Sequence, residues 1–208
     1  MADPRPQNAT PVLGAVLAGG TASRMGGSKA MAQLAGRPLV CYPLAAVAQA
    51  GLDALIVAKA NTELPEVDVP VLRERAEETH PLHGVVEALH AAGGRPVVVI
   101  ACDMPFVTAE LIAWLAGLSG LAVPRLDGRL HPLLARYEAN ALGALARSAG
   151  EGRSAQEAIR ALEPRLVDRA ELARFGDPRR LLMNVNTPQD LERASAILAQ
   201  GGRTRARR

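Results

Sequence analysis

Val12-Leu13-Gly14-Ala15-Val16-Leu17-Ala18-Gly19-Gly20 is the stretch that decides the fold. An apolar run over 12–18 with no polar alternation predicts a strand buried on both faces, and the two glycines end it where a chain turns sharply. Working outward, the spacing predicts a helix over 38–50, with Pro38 near its first turn and Gly51 just past its end. Strands are expected at 54–58 and 69–72, then a helix over 81–92 closed by Gly93-Gly94, and the most strand-like run of the chain at 96–102. Uniformly apolar strands alternating with helical segments imply an α/β fold, a doubly wound and mostly parallel sheet with helices on both faces. Further on, the pattern predicts a helix over 108–117, strands at 121–124 and 132–137, helices over 138–149 and 154–162, and a last helix over 188–199 capped by Thr187.

The 208 residues fit one domain, expected over 11–200, preceded by a flexible segment 1–10 and followed by a basic, disordered tail 201–208. Apolar residues make up 49% of the chain and aromatics only 2%, so the core is aliphatic, and stacking platforms for single-stranded nucleic acid are scarce. The net charge of +3 is misleading. Arg203, Arg205, Arg207 and Arg208 all lie in the tail, and without these four charges the balance falls to −1. The tail reads as a solubilising end rather than a nucleic-acid contact. Cys41 and Cys102 have neither the spacing of a zinc site nor the number of a disulfide scaffold, which suits a reducing cytoplasm. Neither a signal peptide nor a membrane-spanning run is expected.

Ligands of open parallel sheets bind outside the carboxyl ends of the strands, so chemistry is expected after Ala18 and after Cys102. The first segment, Gly19-Gly20-Thr21-Ala22-Ser23-Arg24-Met25-Gly26-Gly27-Ser28-Lys29, combines glycines that let backbone N–H groups approach an anion with two cations, Arg24 and Lys29, for a polyphosphate. It is neither a Walker A loop nor a dinucleotide fingerprint. The second, Cys102-Asp103-Met104-Pro105, sets a carboxylate at a strand tip, suited either to hold Mg²⁺ against nucleotide phosphates or to cap the next helix. His80 and His83 have a metal-like spacing but no obvious third ligand and read as surface histidines. Arg153 and Ser154 offer either an anion site at a helix N-terminus or a plain cap. His131 before Pro132 touches substrate or is structural.

Leu17-Ala18-Gly19-Gly20 with Arg24-Met25-Gly26 and Lys29, the Cys102-Asp103-Met104-Pro105 tetrad, and Asn184-Val185-Asn186-Thr187-Pro188 together resemble the molybdenum cofactor guanylyltransferase family, over 17–188 and in the family's order. Pro81-Leu82-His83-Gly84 is similar to the family's Pro-Leu-x-Gly turn, and Asp127-Gly128 with His131-Pro132 matches a segment before a late strand. The resemblance implies a Rossmann-like nucleotidyltransferase that uses Mg²⁺ to transfer GMP from GTP to the terminal phosphate of molybdopterin. It implies that Leu17, Ala18 and Gly19 border the guanine and ribose, that Lys29 meets the phosphates, and that Asp103 binds Mg²⁺ and through it GTP; the bare backbone of Gly20 adds room for the purine, and the charge of Arg24 joins Lys29 at the polyphosphate. It places Glu74 at the nucleotide and Asn184 and Asn186 on the molybdopterin side, and Asn61 is the candidate to replace a guanine-contacting Asn through a rearranged loop. Three positions depart from the pattern: Ser28 stands where the family usually has Asp, Lys59 where some members have a guanine-contacting Asn, and Glu74 is a methylene longer than the usual Asp. Rival readings are a relative using CTP or a sugar or polyol phosphate acceptor, and a non-catalytic module that delivers the cofactor to a molybdoenzyme.

Overall fold

The structure, a computed structural model, describes residues 11–19, 21–22, 27–74 and 80–205, with 21, 22, 27 and 201–205 as backbone only. The expected flexible segment 1–10 and the site candidates Gly20 and Arg24 lie outside the described residues.

Strand β1 (Leu13–Leu17) is followed by two small hairpins, β2 (Thr21–Ala22) with β3 (Gly27–Ser28) and β4 (Gln33–Leu34) with β5 (Arg37–Pro38). Helix α1 (Cys41–Gln49), β6 (Asp53–Ala58), β7 (Val71–Arg73), α2 (Pro81–Ala92) and β8 (Val97–Ala101) complete the first half. The second half holds α3 (Ala109–Ala116), β9 (Ala122–Leu126), β10 (Arg129–Leu130), β11 (Leu134–Tyr137), α4 (Leu142–Gly150), α5 (Ala155–Arg160), β12 (Arg165–Val167), α6 (Arg169–Ala173), α7 (Pro178–Leu181) and α8 (Pro188–Arg205).

The main sheet runs β10-β9-β11-β8-β1-β6-β7, with β12 against β9. The pairs β6–β7, β1–β6, β1–β8 and β9–β12 are parallel, whereas β11 is antiparallel to both β8 and β9. The expectation of a mostly parallel, doubly wound sheet holds, and its all-parallel run β8-β1-β6-β7 carries the two chemistry-bearing strand ends. Successive residues of β1 face opposite layers. Val16 packs with Ala46 and Val47 of α1 and with Leu111 and Ile112 of α3, while Ala15 and Leu17 pack with Leu82 and Val85 of α2 and with Leu145 of α4. Both faces are thus covered, the physical reason the strand sequence shows no polar alternation. Gly14 is what lets α1 come this close, since a Cβ there would overlap Val47.

Several boundaries differ from the expectations. The helix expected from Pro38 begins at Cys41, because Ala35 and Gly36 take positive φ (49° and 76°) and turn the chain back so that Pro38 pairs with Gln33 in a hairpin. The helix expected over 138–149 starts as a 3₁₀ turn, Ala139–Ala141, before α4. Helix α8 is capped as expected, with Thr187 Oγ1 accepting from Asp190 N at 3.1 Å. It continues past residue 199 to Arg205, taking in part of the segment expected to be disordered. Its Leu191, Ala194 and Leu198 close over Leu34, Leu39 and Phe106, which anchors the C-terminal helix beside the loop after β8.

Candidate active site

The chain leaves β1 for β6 on one side and reaches β8 on the other, so the carboxyl ends of β1 and β8 flank the crevice where α/β sheets bind ligands. Cys102 N donates to Leu17 O at 3.0 Å, stitching these two strand ends together, and Met104 N donates back to Ala101 O at 3.2 Å, a tight turn that sets Asp103 at the tip. Lys29 opens the short 3₁₀ turn Lys29–Met31 that follows the β2–β3 hairpin. Its ammonium reaches across to Asp103 Oδ2 at 2.8 Å, and the two side chains are only 13% and 10% exposed. A carboxylate this buried needs a cationic partner, and Lys29 is it.

Two asparagines complete the cluster. Asn184 Nδ2 donates to Asp103 Oδ1 at 2.8 Å, and Asn186 Oδ1 accepts from Lys29 Nζ at 2.6 Å. Between them Val185, fully buried, donates its N–H to Asp103 O at 2.9 Å, so the segment leading into α8 is tied along the Asp103 turn. Sequence reasoning selected all four polar residues. What it did not reveal is that both asparagines bond the Lys29–Asp103 pair.

The neighbouring cleft is lined by Leu17, Gly19, Lys29, Lys59, Glu74, Gly84 and Asp103 among others. Ala18 lies just beneath, donating its N–H to Val57 O at 2.8 Å. Glu74 is the unusual group here. Its Oε2 is buried without a hydrogen-bond partner among the described residues, and burial raises its carboxyl above the ordinary range, with Lys59 and His83 pulling the other way. A buried carboxylate oxygen lacking a donor on a cleft wall is an acceptor available to a ligand's N–H group. Lys59 lines the cleft, whereas Asn61 is exposed and does not, because the turn closed by Thr62 N donating to Lys59 O (3.1 Å) carries residue 61 outward.

His80, expected as a surface histidine, also lines the cleft. It caps α2: its Nδ1 accepts from Leu82 N at 3.2 Å, so the ring proton sits on Nε2 and is shared with Arg153 O at 2.8 Å. Ser154 caps α5 in a box with Glu157, and Arg153 pairs with Glu151 at 2.8 Å, which favours the plain cap at that helix. A second cleft shares Pro81 and Leu133 with the first and is lined by Arg129, His131, Gln156 and Asn184. Burial, assisted by Arg129, lowers the His131 imidazole to about 4, so it is neutral at physiological pH. Cys102 is no nucleophile, since burial pushes its thiol up to about 12.

Among the described residues no group of three His, Cys, Asp or Glu gathers to hold a metal. The site nevertheless fits Mg²⁺, which typically takes one or two carboxylates and fills its remaining positions with water and substrate phosphates. Asp103 supplies such a carboxylate at the crevice, and its oxygens already bind a cation in Lys29. Among the described residues no helix is long and apolar enough to cross a membrane.

Residues 14–167 match the family model for the MobA-like NTP transferase domain. The chain is 35% identical over 196 residues to a molybdenum cofactor guanylyltransferase of Cereibacter sphaeroides, covering 90% of this chain and 97% of that one. Among solved structures it resembles a molybdopterin-guanine dinucleotide biosynthesis protein A from Archaeoglobus fulgidus, with a TM-score of 0.76 and 26% identity, covering 90% and 99% of the two chains. The fold also matches that of a 2-C-methyl-D-erythritol 4-phosphate cytidylyltransferase from Thermus thermophilus, with a TM-score of 0.67 and 24% identity over 91% and 98% of the chains.

Proposed function

This chain belongs to the molybdenum cofactor guanylyltransferase family, within the MobA-like NTP transferases, and from that premise we propose that it transfers GMP from GTP to the terminal phosphate of molybdopterin. An acceptor phosphate oxygen forms the new bond to the α-phosphorus of GTP. The bond from that phosphorus to the bridging oxygen breaks, and pyrophosphate leaves with the electron pair. No covalent enzyme intermediate is needed, so the protein contributes position and charge neutralisation.

Lys29 supplies a cation at the triphosphate, and we assign Arg24 the same role. Asp103, with Asn184 fixing one of its oxygens, would hold Mg²⁺. Bound there, the ion would supply charge neutralisation at the phosphates and polarise the phosphoryl oxygens. Leu17, Ala18, Gly19 and Gly20 border the base and ribose, and Glu74 accepts from the N1–H and N2–H₂ edge of guanine. The second cleft takes the acceptor, beside Asn184 and the neutral His131. Free Cys41 and Cys102 suit work in the cytoplasm.

The observation that carries this reading is the Lys29–Asp103 bridge at the ends of β1 and β8, with the partnerless Glu74 oxygen in the same cleft. The test is to incubate the protein with molybdopterin, Mg²⁺ and each nucleoside triphosphate in turn, then identify the dinucleotide and the pyrophosphate. The guanine dinucleotide is expected; preferred use of CTP overturns the guanine assignment, and absence of any pyrophosphate release overturns the enzyme assignment.

A further inference from the structure

The atoms that meet around Asp103 are not interchangeable. A carboxylate only accepts and an ammonium only donates, so Asn184 must present its Nδ2 to Asp103 Oδ1, and Asn186 must present its Oδ1 to Lys29. The two amides therefore face opposite charges with opposite ends. They flank the buried Val185, whose N–H bond to Asp103 O fixes the register between this segment and the turn after β8.

The two oxygens of Asp103 are consequently unequal. Oδ1 is held by a neutral amide that can stay in place whatever else binds. Oδ2 is held by a cation, Lys29, 2.8 Å away. A divalent metal at Asp103 meets that same cation, and two positive charges compete for one carboxylate in a site of low exposure. Triphosphate changes the balance, because its oxygens give Lys29 alternative charge-assisted bonds. Asn186 Oδ1 lies 2.6 Å from Nζ, close enough to hold the ammonium if it leaves Asp103.

The geometry points to Asn184 and Asn186 as positioning residues that couple metal binding to nucleotide binding: Asn184 orients the Asp103 carboxylate, and Asn186 keeps Lys29 within reach when Oδ2 passes from ammonium to metal. This rests on the reading of Asp103 as the metal carboxylate. Two consequences are opposite in sign. Loss of the Asn184 donor weakens metal binding, as loss of an outer partner of a metal ligand commonly does by about 10- to 100-fold. Loss of the Lys29 ammonium strengthens metal binding when no nucleotide is present, because the competing cation is gone.

The experiment measures Mn²⁺ binding by electron paramagnetic resonance, in the absence of the molybdopterin acceptor so that nothing turns over, with and without GTP. The wild type is expected to bind Mn²⁺ weakly alone and more tightly with GTP. Lys29→Met should raise the affinity for Mn²⁺ alone by about fivefold or more and flatten the response to GTP. Asn184→Leu, which keeps the shape and removes the donor, should lower the affinity with GTP by about tenfold, and Asn184→Ser, a shorter donor, should fall between. Asn186→Leu should reduce the enhancement by GTP while leaving binding of Mn²⁺ alone unchanged or stronger. Asp103→Asn is the reference. If it binds Mn²⁺ as the wild type does, the metal assignment itself falls, and the coupling with it. If Asp103→Asn loses Mn²⁺ while Asn184→Leu, Asn184→Ser and Lys29→Met all keep wild-type constants within twofold, the coupling is overturned and the metal assignment stands.

Discussion

The carboxylate of Glu74 lies over the bare backbone of Gly19: a methyl group on Gly19 would stand 2.7 Å from Oε1 and 3.3 Å from Lys59 Cγ. Gly84 meets the same oxygen from the other side, where an added Cβ would come within 3.2 Å. Glu74 thus fits into the cleft because two glycines, on the turn after β1 and on the first turns of α2, leave it room. The extra methylene relative to the usual Asp is accommodated there.

Gly19→Ala is therefore expected to displace the Glu74 carboxylate rather than unfold the protein, since the clash is with the end of a flexible side chain. With the acceptor moved, preference for GTP over inosine triphosphate, which lacks the N2 amino group, should shrink by about tenfold, the worth of roughly one hydrogen bond to a charged group. Glu74→Gln should shrink it similarly. Comparing kcat/KM for the two nucleotides tests this, and undiminished discrimination in both variants would remove Glu74 from base recognition. Burial raises the Glu74 carboxyl, so the GTP KM should begin to rise on acidification at a higher pH than for an ordinary carboxylate.

Lys29→Ala should lower the rate by roughly 10²- to 10³-fold, as for loss of one preorganised charge contact at a reacting phosphate. It also strips the 10%-exposed Asp103 of its counter-charge. Thermal melting of Lys29→Ala should therefore fall, and that of Lys29→Met or Asp103→Asn as well, because breaking a buried pair from either side leaves a charge without a partner. A rate change below threefold would mean that Lys29 serves the turn and not the chemistry.

The sequence carried the central parallel strands well because burial on both faces leaves an unbroken apolar run, visible at 12–18 and 96–102. It also carried Lys29, Asp103, Asn184 and Asn186, which are polar residues at the edges of such runs. Three things were not legible. Strand β12 is only three residues, with Arg165 and Leu166 exposed, and pairs along an edge whose position depends on the whole second half. The hairpin at 33–38 depends on positive φ at Ala35, a conformation alanine does not advertise. The role of His80 needed the position of Arg153, 73 residues away, to appear as a cap that ties α2 to the start of α5.

Gly14→Ala is expected to destabilise the fold by about 1–3 kcal/mol, the usual cost of overpacking a core. The new methyl falls on Val47 where α1 crosses β1, and both elements are fixed by neighbours on their other sides. Adding Val47→Ala should recover part of the loss, since it vacates the same volume. Chemical denaturation of the two single variants and the double variant measures the coupling; strictly additive losses would show that the helix moves as a whole instead.

His131 predicts an acid weakness of the second cleft. Its imidazole is lowered to about 4 in the folded protein by burial and by Arg129, against about 6.5 when the chain is unfolded. On acidification the unfolded chain takes up this proton first, so stability falls as pH drops from about 6.5 to about 4, and the contribution is constant above and below that window. Over the upper part of that window the folded ring stays neutral. With the acceptor in this cleft, as proposed, the ring would offer one donor and one acceptor but no charge, and the acceptor's phosphate would be met by cations such as Arg129, which lines the same cleft. His131→Gln keeps hydrogen-bonding capacity and cannot titrate. Its melting temperature should fall by a few degrees less than that of the wild type between about pH 7 and pH 4.5. Parallel melting curves over that range would show that His131 takes up its proton without resistance from the fold, and the neutral-imidazole account of the cleft would fail with it.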